Sequence, residues 1–182
     1  MKLKALSLFI FVYVLFIFDQ ITKWLIIERL FKQDGQDFIG WLLNMKQDRL
    51  DFHLQEINPF FNLVMVWNKG VSFGMFANDA RMSVILLSGF ACIMALAFAI
   101  WFMRTTSDLI KLSSILVISG ALGNVWDRLR FGAVADFLDF HALGWHYPAF
   151  NVADSCIVVG VGILLFKSIF LDGKDDKKAS TE

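Results

Sequence analysis

Four stretches of this chain run for about twenty residues on mainly apolar side chains, near 5–27, 82–103, 109–126 and 152–171. That length carries an α-helix across the hydrocarbon core of a bilayer. In lipid a helix also satisfies its own backbone hydrogen bonds. The third stretch is the shortest and is interrupted by Lys111, Ser113, Ser114 and Ser119. Both prolines, Pro59 and Pro148, fall between the stretches, where a missing N–H costs little. Two connecting segments, 28–81 and 128–150, follow a different pattern. Residues 60–76 read FFNLVMVWNKGVSFGMF, rich in β-branched and aromatic side chains, with Gly70 and Gly74 as turn or bulge points. This predicts short strands. The expected fold class is therefore an α-helical membrane protein. Its four transmembrane helices carry a small extracytoplasmic β-rich cradle and a peripheral loop or helix.

Composition supports the membrane reading. The 182 residues are 57% hydrophobic, above the roughly 45–50% of soluble domains. A formal net charge of +0 gives no basic stripe for nucleic acid. Lys2 and Lys4 precede the first span, Arg104 and Lys111 flank the turn between the second and third, and Lys174, Lys177 and Lys178 follow the fourth. The positive-inside rule then places both termini in the cytoplasm. The first span is expected to stay uncleaved, since Asp19, Gln20 and Lys23 follow it without a small-residue cleavage site. Residues 1–171 read as one membrane domain, and 172–182 as a charged, disordered tail. Trp41, Trp67, Trp126, Trp145 and Tyr147 suit the headgroup level. Cys92 and Cys156 read as buried free thiols.

Ionisable groups beside hydrocarbon are costly unless they pair, face a cavity or react. Asp19 and Lys23 stand four apart and can pair on one helical face. Asn124, Asp127 and Arg128 close the third span; Arg128 can fork onto Asp127 or onto a substrate carbonyl. An acid paired with Arg has a lowered pKa, so Asp127 reads as part of a network rather than as a proton donor. Asp136 follows the exit of span three, and Asp154 lies about one turn into span four, with Asn151 three residues earlier on the same face. Antiparallel spans bring both carboxylates to the same membrane boundary. Two close carboxylates share a proton near neutral pH, the arrangement of an aspartic protease. On spacing alone the plainer reading is favoured, a solvated loop acid beside a helix-N-terminal acid stabilised by the macrodipole. Asp139 competes with Asp136 if the segment is helical and faces away if it is extended. His53, His141 and His146 lack a metal-ligand spacing, and a Lys69–Ser72 dyad would need a desolvated lysine. A small proton or cation transporter using Asp19, Asp127, Asp136 and Asp154 is the alternative, though it predicts acids spread through the membrane depth.

The segments DQITK (from Asp19), NLVMVWNKGVSFG (from Asn62), GNVWDR (from Gly123), VADF (from Val134) and FNVAD (from Phe150) stand in an order that resembles lipoprotein signal peptidase, the signal peptidase II family. The resemblance covers most of the chain. It implies a bacterial inner-membrane aspartyl endopeptidase that cuts a prolipoprotein just before its diacylglyceryl-modified cysteine and needs no cofactor or metal. It also implies that Asp136 and Asp154 are the catalytic pair, with Asn68, Asn124, Arg128 and Asn151 holding the substrate. Asp19, Lys23, Asp127 and Gly70 take supporting positions. The implied partners are the prolipoprotein, membrane lipid and the inhibitory cyclic peptide globomycin. Lys69, Val71 and Ser72 depart from the family's usual choices and are candidates for tuning substrate preference. Residues 33–57 form an unusually long first outer segment, read as a lid or interfacial element.

Overall fold

The computed structural model describes residues 2–33, 35–45, 48–70 and 80–172. Helix α1 (Lys2–Trp24) continues without a break into a wider π-type coil, Leu25–Lys32. The first span therefore runs Ala5–Lys32, longer than the apolar run alone. Ile27 and Phe31 explain the extension, because they pack into a second core beneath the β-sheet. The other three spans follow α3 (Ala80–Arg104), α4 (Asp108–Phe131) and α5 (Val152–Phe166), the last prolonged by a π-type coil, Lys167–Asp172. A short helix, α2 (Phe38–Leu43), lies in the first connecting segment, its start capped by Asp37 accepting from the Gly40 N–H at 2.8 Å.

Helix α4 runs beyond its expected end at 126 by about one and a half turns. Gly132 stops it, adopting a left-handed φ of 67° and donating its N–H to the Arg128 carbonyl at 2.9 Å. Asp127 and Arg128 consequently lie within the helix rather than at its close. The most apolar stretch of α4 is 56% buried, against 22% or less in the other three spans. It is therefore the central helix. Small residues make that position possible. A Cβ on Gly120 would collide with the Ala153 carbonyl of α5, and one on Gly123 would stand 2.7 Å from the Asp19 carboxylate of α1. The Ser113 hydroxyl donates to the Gly160 carbonyl at 2.7 Å, so a polar group also joins α4 to α5 inside the membrane.

Outside the membrane, β1 (Leu54–Asn58), β2 (Phe61–Asn68), β3 (Val134–Ala142) and β4 (Trp145–His146) form an antiparallel sheet in the order β1-β2-β3-β4. The β2–β3 register sets Val66 opposite Asp136 and Asn68 opposite Val134, after a bulge between Leu63 and Val66. Met65 of β2 and Ala135 of β3 pack into one core with Ile27, Trp41 and Phe131. Trp41 lies fully buried, with the Arg130 guanidinium 4.0 Å from its ring centre. Both thiols are free. Cys92 faces outward on α3, contrary to the buried reading, while Cys156 is half-buried. The strand expectation over 60–76 holds for β2, while Phe60, Lys69 and Gly70 stand outside the strand; 71–76, with Val71, Ser72 and Gly74, lie outside the described residues, as does the tail 173–182.

Candidate active site

Asp136 sits on β3 and Asp154 on the first turn of α5, and one side chain, Asn151, touches both. Asn151 is the N-cap of α5: its Oδ1 accepts from the Asp154 N–H at 2.9 Å, and the Asp154 carboxylate accepts from the Asn151 N–H at 3.3 Å. This reciprocal capping box fixes where Asp154 points. The Asn151 Nδ2 donates to the Asp136 carboxylate at 2.8 Å and to the Ala135 carbonyl at 3.2 Å. Asn124 on α4 completes the bridge, donating to Asp154 Oδ1 at 2.7 Å while its own Oδ1 accepts from Asn151 at 3.3 Å.

Asp136 is almost fully buried. Removal from water, followed by repulsion from Asp154, raises its pKa from 3.8 to about 7, and hydrogen bonds from Asn68 and Asn151 only partly offset that rise. Asp136 is thereby poised to hold a proton near neutral pH. Because β3 is extended, Asp139 cannot replace Asp136. Its side chain turns instead to Asn62 on β2 (3.0 Å) and His146 on β4 (2.9 Å).

Asn68 ends β2 beside the pair, and its Oδ1 accepts from the Gly70 N–H at 2.8 Å. Gly70 holds a φ of 73°, and a Cβ there would collide with Leu87 of α3 and stand 4.0 Å from the Arg128 guanidinium. Arg128 donates to the Asn124 carbonyl at 3.3 Å. It does not neutralise Asp127. That acid takes Lys23 instead: the Lys23 Nζ lies 2.8 Å from Asp19 and 2.8 Å from Asp127, all three fully buried or nearly so.

This triad also reaches the backbone beside Asp136 and Asp154. Asp127 accepts from the Ala135 N–H at 3.2 Å, and Asp19 accepts from the Ala153 N–H at 2.9 Å. Each supporting acid therefore grips the residue immediately before one member of the pair. Gln20, weighed from sequence only against cleavage of the first span, donates to Asp19 (3.0 Å) and Asp127 (3.2 Å) and accepts from Arg130 (3.3 Å). The available signal was an amide adjoining Asp19 in a span that cannot leave it unpaired.

Two cavities flank the pair. Asp154 borders one of about 750 Å³, walled by Phe60, Phe140, Trp145, Tyr147, Phe150 and Val158 among others. Asp136 borders one of about 490 Å³ that also meets Asn68, Lys69 and Gly70. Lys69 lines this second space, so of the departures noted in the sequence it is the one the described residues place beside the site.

A family model described as signal peptidase (SPase) II matches residues 11–170. Similar curated proteins include the lipoprotein signal peptidase of Methylobacterium sp. (strain 4-46), 44% identical over 118 residues, which are 65% of this chain and 72% of that protein. The lipoprotein signal peptidase of Pelagibacter ubique (strain HTCC1062) is 36% identical over 166 residues, 91% of this chain and 89% of that one. In fold, the chain is similar to a bacterial membrane enzyme solved in meso at 1.9 Å, with a TM-score of 0.68 and 24% identity over 91% of this chain and 94% of that one. Since the family match takes in every residue of the Asp136–Asp154 network and the similarity to Pelagibacter ubique extends over nearly the whole chain, the chain belongs to the signal peptidase II family.

Proposed function

We propose that this chain removes signal peptides from prolipoproteins as a membrane aspartyl endopeptidase, with Asp136 and Asp154 as its catalytic pair. The observation that carries the assignment is the double clasp of Asn151 on both carboxylates, at 2.8 Å to Asp136 and through the capping box to Asp154. In the singly protonated pair, the ionised carboxylate takes a proton from a water as its oxygen attacks the scissile carbonyl carbon. The protonated partner gives its proton to the carbonyl oxygen, producing a neutral diol. A proton then passes to the amide nitrogen, the C–N bond breaks, and the pair regains one shared proton. Asn68, Asn124 and Arg128 are placed to accept or donate along the substrate backbone once it leaves water.

The two cavities fit a substrate with two characters. The apolar one beside Asp154 suits the acyl chains of a diacylglyceryl cysteine, since each buried methylene contributes about 0.8 kcal/mol. The one beside Asp136 suits the peptide. The same site is expected to take globomycin. We place the enzyme in the bacterial cytoplasmic membrane, with both termini inside and the pair at the outer face. Residues 1–171 act as one unit. The transporter alternative is not favoured, because its four acids are not strung along a path. Asp19 and Asp127 share Lys23, and their backbone contacts lead directly to Asp136 and Asp154.

The test is cleavage of a diacylglyceryl-modified prolipoprotein by purified enzyme in lipid, beside folded Asp136→Asn and Asp154→Asn. Cleavage before the lipidated cysteine is expected from the wild type alone. Full cleavage by either variant would remove that aspartate from the mechanism.

A further inference from the structure

Away from the catalytic pair, the tip of the outer sheet gathers three metal-ligating side chains that lie apart in type and position. Asp139 and His141 are two residues apart on β3 and so share one face. The chain then reverses in a two-residue turn, Leu143 (φ 52°) and Gly144 (φ 82°), the positive-φ pair of a tight hairpin. That turn sets His146 of β4 directly opposite His141, with their rings stacked 4.8 Å apart. The His146 Nδ1 lies 2.9 Å from the Asp139 carboxylate and the His141 Nδ1 lies 4.0 Å from it. One ligand atom from each residue falls within 4.8 Å of the others.

The spacing suits a small, soft divalent cation. Around a tetrahedral zinc ion with bonds of roughly 2.0–2.2 Å, neighbouring ligand atoms stand about 3.3 Å apart. The observed 2.9 and 4.0 Å bracket that value. Among the described residues, the His141 Nδ1 is buried with no hydrogen-bond partner, a costly state that a bound ion relieves. Asn62 donates to the Asp139 carboxylate at 3.0 Å, the outer support that orients a metal-ligating acid. The His146 side chain is 52% exposed, so an ion reaches the cluster from solution. Two imidazoles and one carboxylate select zinc-like ions over magnesium or calcium, which prefer all-oxygen shells.

We propose that Asp139, His141 and His146 form a binding site for a divalent transition-metal ion of the zinc class, separate from the aspartate pair. His141 and Trp145 also line the 750 Å³ apolar cavity, so an ion there clamps β4 to β3 and stiffens that wall. The peptidase assignment does not depend on it.

The test uses untagged, full-length protein in lipid or detergent, stripped with chelator and titrated with Zn²⁺ against a chromophoric competitor. One Zn²⁺ per chain is expected, weakened at least tenfold in His141→Gln and in His146→Gln and unchanged in Asp136→Asn. Weakening of about 10–100-fold is expected from Asn62→Ala. Co²⁺ titrated into the wild type needs no variant, and the intense visible bands of a four-coordinate ion are expected. Amide exchange over 141–147 should slow on loading. Zn²⁺ binding unchanged in the two histidine variants, only weak six-coordinate Co²⁺ bands, or no stoichiometric binding at all would each overturn the site.

Discussion

Replacing Asp136 with Asn keeps the shape of the side chain and removes its proton chemistry. Loss of a positioned acid or base typically costs about 10²–10⁴ in rate, and Asp136→Asn and Asp154→Asn are each expected to lose at least that in single-turnover cleavage. The same substitution has the opposite effect on stability. With a folded pKa of about 7 against an ordinary 3.8, Asp136 keeps a proton on folding that the unfolded chain has released. Its contribution is fully favourable below about pH 4 and is lost as pH rises to about 7. At pH 8, Asp136→Asn is expected to be more stable than wild type, on the order of a few kcal/mol. The gap should close toward pH 4 in thermal melts of the two proteins. Wild-type cleavage should decline as pH rises through about 7, as the shared proton is lost. At this scale the sequence was informative about the pair and its amides, since FNVAD carries its own capping box. It was misleading about Asp127, because the nearest cation in the chain, Arg128, is not the nearest in space. The partner, Lys23, lies 104 positions away and 2.8 Å distant.

Elements, not only residues, carry the site. Lys23 of α1 is shared by two buried carboxylates, and Lys23→Met removes the cation that both contact. Breaking a buried pair from one side costs about 3–5 kcal/mol, so Lys23→Met is expected to lower the melting point sharply and to lose cleavage along with it. Close helix packing makes a separate demand. Gly120→Val drives a side chain into the Ala153 carbonyl and pushes α5 away from α4, which separates Asn124 from Asp154. Cleavage should fall by more than tenfold, and the thermal midpoint by several degrees. Gly162→Ala meets no atom within 4 Å and should be neutral in both measurements. Helix existence was legible from apolar runs, but helix ends were not. Gly132 stops α4 through a backbone conformation, and Ile27 and Phe31 prolong the first span through contacts with a sheet that periodicity does not reveal. The Asp139–His141–His146 cluster was hidden for a related reason: its geometry comes from strand pairing across a turn, not from spacing along the chain.

The whole molecule is asymmetric about the membrane, with its sheet, both cavities and the aspartate pair at one end and the α3–α4 turn at the other. A cysteine at Leu143, fully exposed at the β3–β4 turn, should react with an impermeant maleimide added to intact spheroplasts, while one at Thr106 should react only after lysis. The reverse pattern would invert the orientation. The helical membrane class was plain from the four apolar runs, whereas the sheet order was not, because β2 and β3 pair across more than sixty residues of intervening chain. A similar long-range link has a consequence in time. Asp19, in the first span, accepts from the Ala153 N–H in the last. A nascent chain with only three spans inserted lacks Asp154 and leaves this contact of Asp19 unmade. On the proposed mechanism, hydrolytic competence therefore waits until the ribosome reaches the last span, whose first turn carries both Ala153 and Asp154.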